Sequence, residues 1–250
     1  MKKIISCIFI VLLVLTCMNK TFAAQYDIIK MEIELPETYY NLTKGLEQDD
    51  KKMDYYVALM STSKEALKSE YAANSILYNG ISKDMANEIY LSYAENKLTQ
   101  SIFHLSSAED KQLAEVKDEI TKTIKAQNMV VTAQDTYVLG DMTFVHTEMK
   151  KGTTTIYQYY TIVNGKSITL SLNSSDGSAK NEDLKKIVNT ITFDEIEEKP
   201  TSFKTYMLIA VTALLVIMVI VLVFMAFFGG KKSIDVDDED VDEEEENKEE

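Results

Sequence analysis

Residues 153–172 read TTTIYQYYTIVNGKSITLSL. Two runs rich in β-branched and aromatic residues flank Asn164-Gly165, a pair suited to a two-residue hairpin loop because both central positions take a positive φ. Such a loop pairs Val163 with Lys166. Side chains alternate along a strand, so Tyr157, Tyr159, Ile168, Leu170 and Leu172 share one face. Ile156, Tyr160 and Ile162 take the other, and both faces of the sheet therefore need cover. Just upstream, residues 129–139 and 142–150 meet at Gly140-Asp141 as a second hairpin.

Working outward, Ile29, Met31, Ile33 and Leu35 alternate with Lys30, Glu32 and Glu34, which predicts a half-buried strand ended by Pro36. Thr62 followed by Glu65 is spaced as a capping box and predicts a helix to about Ala73. Ser106 and Glu109 do the same for a longer helix with Leu113, Val116, Ile120 and Ile124 on one stripe. Between these helices, residues 75–82, 88–93 and 98–105 read as short strands. A last helix over 182–190 turns Leu184, Ile187 and Val188 inward, and 191–193 form a closing strand. Residues 195–205 read as a polar juxtamembrane tether. The pattern predicts an α+β fold with an antiparallel sheet sandwiched by helices.

The two ends of the 250-residue chain carry different signals. Lys2 and Lys3, the apolar run from Ile4 to Leu15 and Thr21-Phe22-Ala23 make up a secretory leader, with cleavage expected after Ala23. A lipoprotein leader ending at Cys17 is disfavoured by Thr16. Residues 206–228, from Tyr206 to Phe228, are apolar and uncharged, and at 1.5 Å per residue reach roughly 35 Å, enough to span a bilayer as one C-terminal transmembrane helix. Lys231 and Lys232 beyond it place that end in the cytoplasm. Residues 229–250 are then an acidic tail too poor in apolar residues to fold, and residues 24–194 an extracellular domain. The tail could dock on a basic cytosolic protein. Asp235, Asp237 and Glu239 alternate like a calcium loop, but its glycine and closing Glu are missing.

The formal charge of −14 and the absence of Arg argue against nucleic-acid binding, which needs a basic footprint. Cys7 and Cys17 both lie in the leader, so thiol catalysis and thiolate metal sites are not expected of the mature chain. Gly165-Lys166-Ser167 imitates the end of a phosphate loop, yet Tyr160 stands where its first Gly belongs. No nucleophile elbow occurs, and two separate histidines make no zinc site. No cofactor is expected.

Three structural motifs carry a resemblance: Leu35-Pro36-Glu37 closing the first strand, the Tyr-Tyr-Thr-Ile-Val-Asn-Gly-Lys hairpin at 159–166, and LKKIVNTITF at 184–193. Over about residues 26–194 the chain resembles the PsbP-like family. The resemblance implies an α/β/α sandwich around an antiparallel sheet, often exported or membrane-anchored in bacteria. No catalytic motif comes with it, and the photosystem role of plant members does not carry over.

Tyrosine is the compositional oddity, with 14 in the chain against no Trp. Tyr offers rigid amphipathic contact area for recognising peptides or sugars. The doublets 39–40, 55–56 and 159–160 should expose some rings, since strand neighbours face opposite ways. Tyr39, Tyr55 and Tyr160 are the candidate binding residues. The Gly140-Asp141 loop sets Asp135 opposite His146, where a carboxylate beside an imidazole would make a pH-responsive pair. His104 reads as a strand residue. These features suggest a noncatalytic, membrane-anchored binding or adaptor module of the bacterial cell envelope, contacting lipid through its span and a protein or envelope ligand outside. The alternatives are a sensor subunit coupling an external ligand to the tail, and an exported hydrolase.

Overall fold

The computed structural model describes residues 21–198 together with Val211, Thr212, Leu214, Leu215, Val216 and Met218, which are helical. Leader residues 1–20, tether residues 199–205, the rest of 206–228 including Tyr206 and Phe228, and Lys231, Lys232 and the acidic tail lie outside the described residues. Among the described residues, no helix is long and apolar enough to cross a membrane. The chain divides into two units, Met1–Lys199 and Pro200–Glu250.

The first unit opens with strand β1 (Thr21–Tyr26) and β2 (Met31–Pro36), whose burial alternates as the sequence pattern requires. A short β3 (Tyr40–Asn41) leads into three helices, α1 (Leu42–Glu47), α2 (Lys51–Leu59) and α3 (Lys64–Ala73). Each helix starts where a polar side chain accepts an otherwise unpaired amide: Asn41 from Lys44, Asp50 from Lys52 and Ser63 from Ala66. The cap of α3 is thus Ser63, one residue beyond the expected Thr62. Strands β4 (Ile76–Ile81) and β5 (Asn87–Ala94) follow as expected.

Residues 98–105 correct the sequence reading. They form helix α4 (Lys97–Ser101) and a 3-10 turn, Leu105–Ser107, rather than a strand. Asn96 accepts the amides of Leu98 and Thr99 while the Thr99 hydroxyl reaches back to the Asn96 amide, and this reciprocal cap turns the chain into a helix. The long helix α5 (Asp110–Ala126) starts later than Ser106, because Gln112 reaches back to the Glu109 amide. Its Val116, Ile120 and Ile124 are buried as its stripe predicts.

Four long strands follow, β6 (Val130–Leu139), β7 (Met142–Lys151), β8 (Thr154–Val163) and β9 (Lys166–Ser174), then α6 (Asn181–Val188) and β10 (Thr192–Phe193). The loop residues Asn164 and Gly165 have φ of 54° and 70°, and Val163 pairs with Lys166. Asp135 pairs with His146, as the Gly140-Asp141 loop requires.

The fold is α+β with antiparallel sheets. Seven strands run in the order β3-β4-β5-β9-β8-β7-β6, and β1-β2-β10 form a separate three-stranded sheet. One face of the large sheet, with Ile89, Leu91, Phe144, Tyr159, Leu170 and Leu172, packs against Met31, Ile33 and Leu35 of β2 and Leu184 and Val188 of α6. That covering layer is therefore part sheet and part helix. The other face meets α5 through Val145, Met149, Tyr160 and Ile162. At the β3–β4 end, α1–α3 close a third cluster around Leu42, Met53 and Leu67. Burying each such large aliphatic side chain contributes roughly 1.5–3 kcal/mol before chain entropy is counted.

Candidate functional site

Helix α5 covers only one end of its sheet face, and the uncovered part beside it forms a groove of about 890 Å³. The floor comes from Gln158 and Tyr160 of β8 and Ser167 and Thr169 of β9. Glu115, Asp118, Glu119 and Lys122 of α5 make one wall, and Lys97, Leu98 and Ser101 of α4 close the end. The floor is polar because alternate residues of β8 and β9 point here while their neighbours enter the main core. Ser167 is buried and donates to the Ala94 carbonyl at 3.0 Å. It also bonds the Tyr160 hydroxyl, whose phenol is pushed above the ordinary range by burial. Asp118 and Lys122 pair at 3.5 Å one turn apart. A recess of this size with converging hydroxyl and amide groups suits a polar organic ligand or a short extended segment.

The three candidate tyrosines do not share a face. Tyr160 lines this groove, but only 9% of it is exposed. Tyr39 lies across the large sheet, against the main core, lining a second recess of about 530 Å³ beside α6 with Ile89, Leu172 and Ile187. Burial pushes its phenol up. Tyr55 is 63% exposed on α2, edge-on to Tyr56, which stacks on Tyr40 at 4.4 Å. The expected exposure of a ring at 159–160 fails: Tyr159 is 2% exposed, because each ring of that doublet points into a covered face.

Asp135 and His146 do meet. Both Asp135 carboxylate oxygens lie 3.3 Å from His146 Nδ1, and the imidazole is 4% exposed against the Tyr159 ring at 4.8 Å. A third member escaped the sequence reading. Glu148 lies two residues along β7 on the same face, its Oε1 3.8 Å from His146 Nε2, which has no hydrogen-bond partner among the described residues. The i, i+2 spacing of His146 and Glu148 on a strand was the available signal. Tyr159 donates to Asn181 of α6 at 3.1 Å, and burial pushes its phenol up to about 12.

His104 is no strand residue. Its Nε2 lies 2.6 Å from the Glu197 carbonyl, while its Nδ1 accepts the Asn164 amide at 3.3 Å. The Asn164 side chain donates to the Glu195 carbonyl and accepts from the Glu197 amide, and Lys30 bridges the carboxylates of both glutamates. The start of the expected tether, Glu195–Glu197, is thus clasped onto the domain at the tip of the β8–β9 hairpin.

No protein-family model matches the chain, and no curated protein does. Among solved structures it is similar to the cyanobacterial PsbP (CyanoP) of Synechocystis sp. PCC 6803, at 9% identity over 70% of this chain and 94% of that one, with a TM-score of 0.45. It is also similar to the Ran-binding protein Mog1p of Saccharomyces cerevisiae, at 8% identity over 70% and 96%, TM-score 0.42. A Bacteroides thetaiotaomicron protein follows at 11% identity over 74% and 55%, TM-score 0.39. Structural neighbours of the chain thus include PsbP and Mog1p, at a distance that carries no argument about function.

Proposed function

We propose that this chain is a noncatalytic, single-pass membrane-anchored binding or adaptor module of the bacterial cell envelope, its external part a PsbP-like sandwich that takes a protein or envelope ligand in the groove beside α5. The groove is the observation that carries the reading: about 890 Å³, floored by Gln158, Tyr160, Ser167 and Thr169, it lies within the size range of ligand sites. The anchor rests on the apolar segment 206–228 and Lys231-Lys232. Leu214 and Val216 within that segment are helical, with exposed apolar side chains.

The test is crosslinking of the full-length chain in cells, alongside Thr169→Trp, which fills the groove floor, and a form lacking residues 233–250. Loss of the captured partner with Thr169→Trp alone supports the groove. Capture that survives Thr169→Trp but disappears with the tail moves the function to the cytosolic side, and robust turnover of a wall or peptide substrate by the full chain overturns the noncatalytic reading.

A sensor role has one observation in its favour. Helix α4, which closes the groove, is followed directly by Ile102, Phe103 and His104, and His104 holds the Glu197 carbonyl where the chain leaves the domain. Under this reading, groove occupancy alters tail contacts, and His104→Ala abolishes that coupling while leaving external binding in place.

A further inference from the structure

The free edges of the two sheets are unequal. β3 and β10 end their sheets with only two residues each, a common way of blunting an edge, and β1 ends the small sheet with six. β6 ends the large sheet with ten, VVTAQDTYVL, containing no Lys and no Pro in a chain otherwise rich in lysine. Asp135 is its one charge. Val130 and Val138, at 65% and 62% exposure, are the most exposed large aliphatic residues of the described part of the first unit, and both belong to this strand. Lysine, proline and brevity are three usual protections of an edge that β6 lacks, and its bulge at Thr132 and the charge of Asp135 leave residues 136–139 without any.

The register says which backbone groups are free. In a two-residue hairpin the residues flanking the loop exchange both hydrogen bonds, and Leu139 and Met142 are that pair. The exchange repeats at Tyr137 and Asp135, so the amides and carbonyls of Gln134, Thr136 and Val138 point away from β7. Among the described residues they pair with no other segment. The bulge at Thr132 interrupts the strand before this run, leaving 133–139 regular.

We propose that β6 is a pairing edge through which two copies of this chain associate, antiparallel about a two-fold axis at Thr136. That register is self-complementary. Thr136 faces its own copy, Gln134 faces Val138 of the other copy, and each of the three outward residues exchanges both backbone bonds. On the opposite face Asp135 sits beside the other copy's Tyr137, so no like charges stand directly opposed. The single carboxylate offers little to a charged peptide, whereas in the two-fold register the six outward backbone groups of one copy each meet one of the other's. The two large sheets become one continuous sheet. The inference is independent of the groove beside α5.

The experiment is disulfide trapping in the full-length chain with Cys7 and Cys17 changed to Ala. Residues facing each other as a hydrogen-bonded pair have Cα atoms about 5.5 Å apart, within disulfide reach. Thr136→Cys should give a dimer on mild oxidation, on the order of tenfold more than Val138→Cys, whose partner in the other copy is Gln134. Adding Val138→Pro to Thr136→Cys removes an outward amide that β6 does not use internally, and should abolish trapping with an unchanged circular dichroism spectrum. Equal trapping at 136 and 138, absence of a dimer with Thr136→Cys, or crosslinking of the introduced thiol to a different protein would each overturn the proposal.

Discussion

Gly80→Ala is expected to destabilise the domain even though it replaces a strand glycine with a better strand former. Tyr78 and Gly80 point to the same face of β4, and the fully buried Tyr78 ring lies over the missing side chain of Gly80. An added Cβ would stand 2.5 Å from Tyr78 Cζ and 2.7 Å from Cε1, with the hydroxyl closer still. Ordinary carbon contacts need about 3.5–4 Å, so the ring would have to move by roughly 1 Å. It cannot move freely, because it packs in the main cluster and against Phe22 at 6.4 Å. Removing a strand glycine ordinarily gains about 0.5–1 kcal/mol, whereas overpacking costs typically 1–3 kcal/mol. The net expectation is a loss of about 1–2 kcal/mol, read as a lower urea midpoint at unchanged slope. The cycle with Tyr78→Phe sharpens the test. The Tyr78 hydroxyl is buried without a partner among the described residues, so Tyr78→Phe alone should be neutral or slightly stabilising, and it should recover part of the Gly80→Ala loss by removing the nearest atom. A neutral Gly80→Ala, or additive effects in the cycle, would refute the reasoning.

Alkaline pH should unfold the domain through its tyrosines. Burial, the leading cause, pushes Tyr159 up to about 12 and Tyr26, Tyr71, Tyr78 and Tyr90 further up, the last aided by Glu88. A phenol whose folded pKa is raised keeps its stabilising contribution below the unfolded value of about 10 and loses it as pH climbs toward the folded value. The urea midpoint should therefore fall from about pH 10 to 12, with phenolate absorbance rising in step, and a flat midpoint over that range would contradict it. Asn164→Gly keeps the left-handed turn but deletes the bonds to Glu195 and Glu197, and should cost about 1–2 kcal/mol and speed proteolysis after Phe193. The leader reading predicts Ala24 as the first residue of the chain recovered from cells by mass spectrometry; a chain still carrying Thr21–Ala23 would contradict it. Cleavage after Ala23 leaves only Ala24–Tyr26 of β1, so the precursor should resist urea better than the mature chain, because Phe22 packs on the main cluster.

What could be read in advance was what local chemistry decides. Asn164-Gly165 sets the β8–β9 register without help from the rest of the chain, and Gly140-Asp141 sets Asp135 against His146. The stripes of α5 and α6 were equally plain. The short helix at 97–101 was misread because its apolar residues suit either period, and the deciding contact is the Asn96–Thr99 cap. Helices α1 and α2 went unseen, although Asn41 and Asp50 cap both in the usual way. The joining of β10 to β2 depends on contacts far apart in the chain, for which strand propensity carries no signal. The groove escaped for a related reason. It exists because α5 covers only part of a face, and no residue pattern encodes what a helix leaves bare. Tyr160, a candidate from the sequence, does line it, but its ring is buried rather than open as the doublet pattern predicts.

The clasp at the hairpin tip changes how the domain would bear a pull on its C-terminal end. β10 holds β2 through only two residues, and tension along the outgoing chain would peel such a strand away one bond at a time. Lys30, His104 and Asn164 grip the next few residues from three separate elements, beyond that weak strand. Tension is then shared by contacts that must break together, two of them at the turn of the long β8–β9 hairpin rather than at a sheet edge. A pull on the C-terminal end would load this clasp before β10, and His104→Ala or Asn164→Gly would lower the force at which that end comes loose.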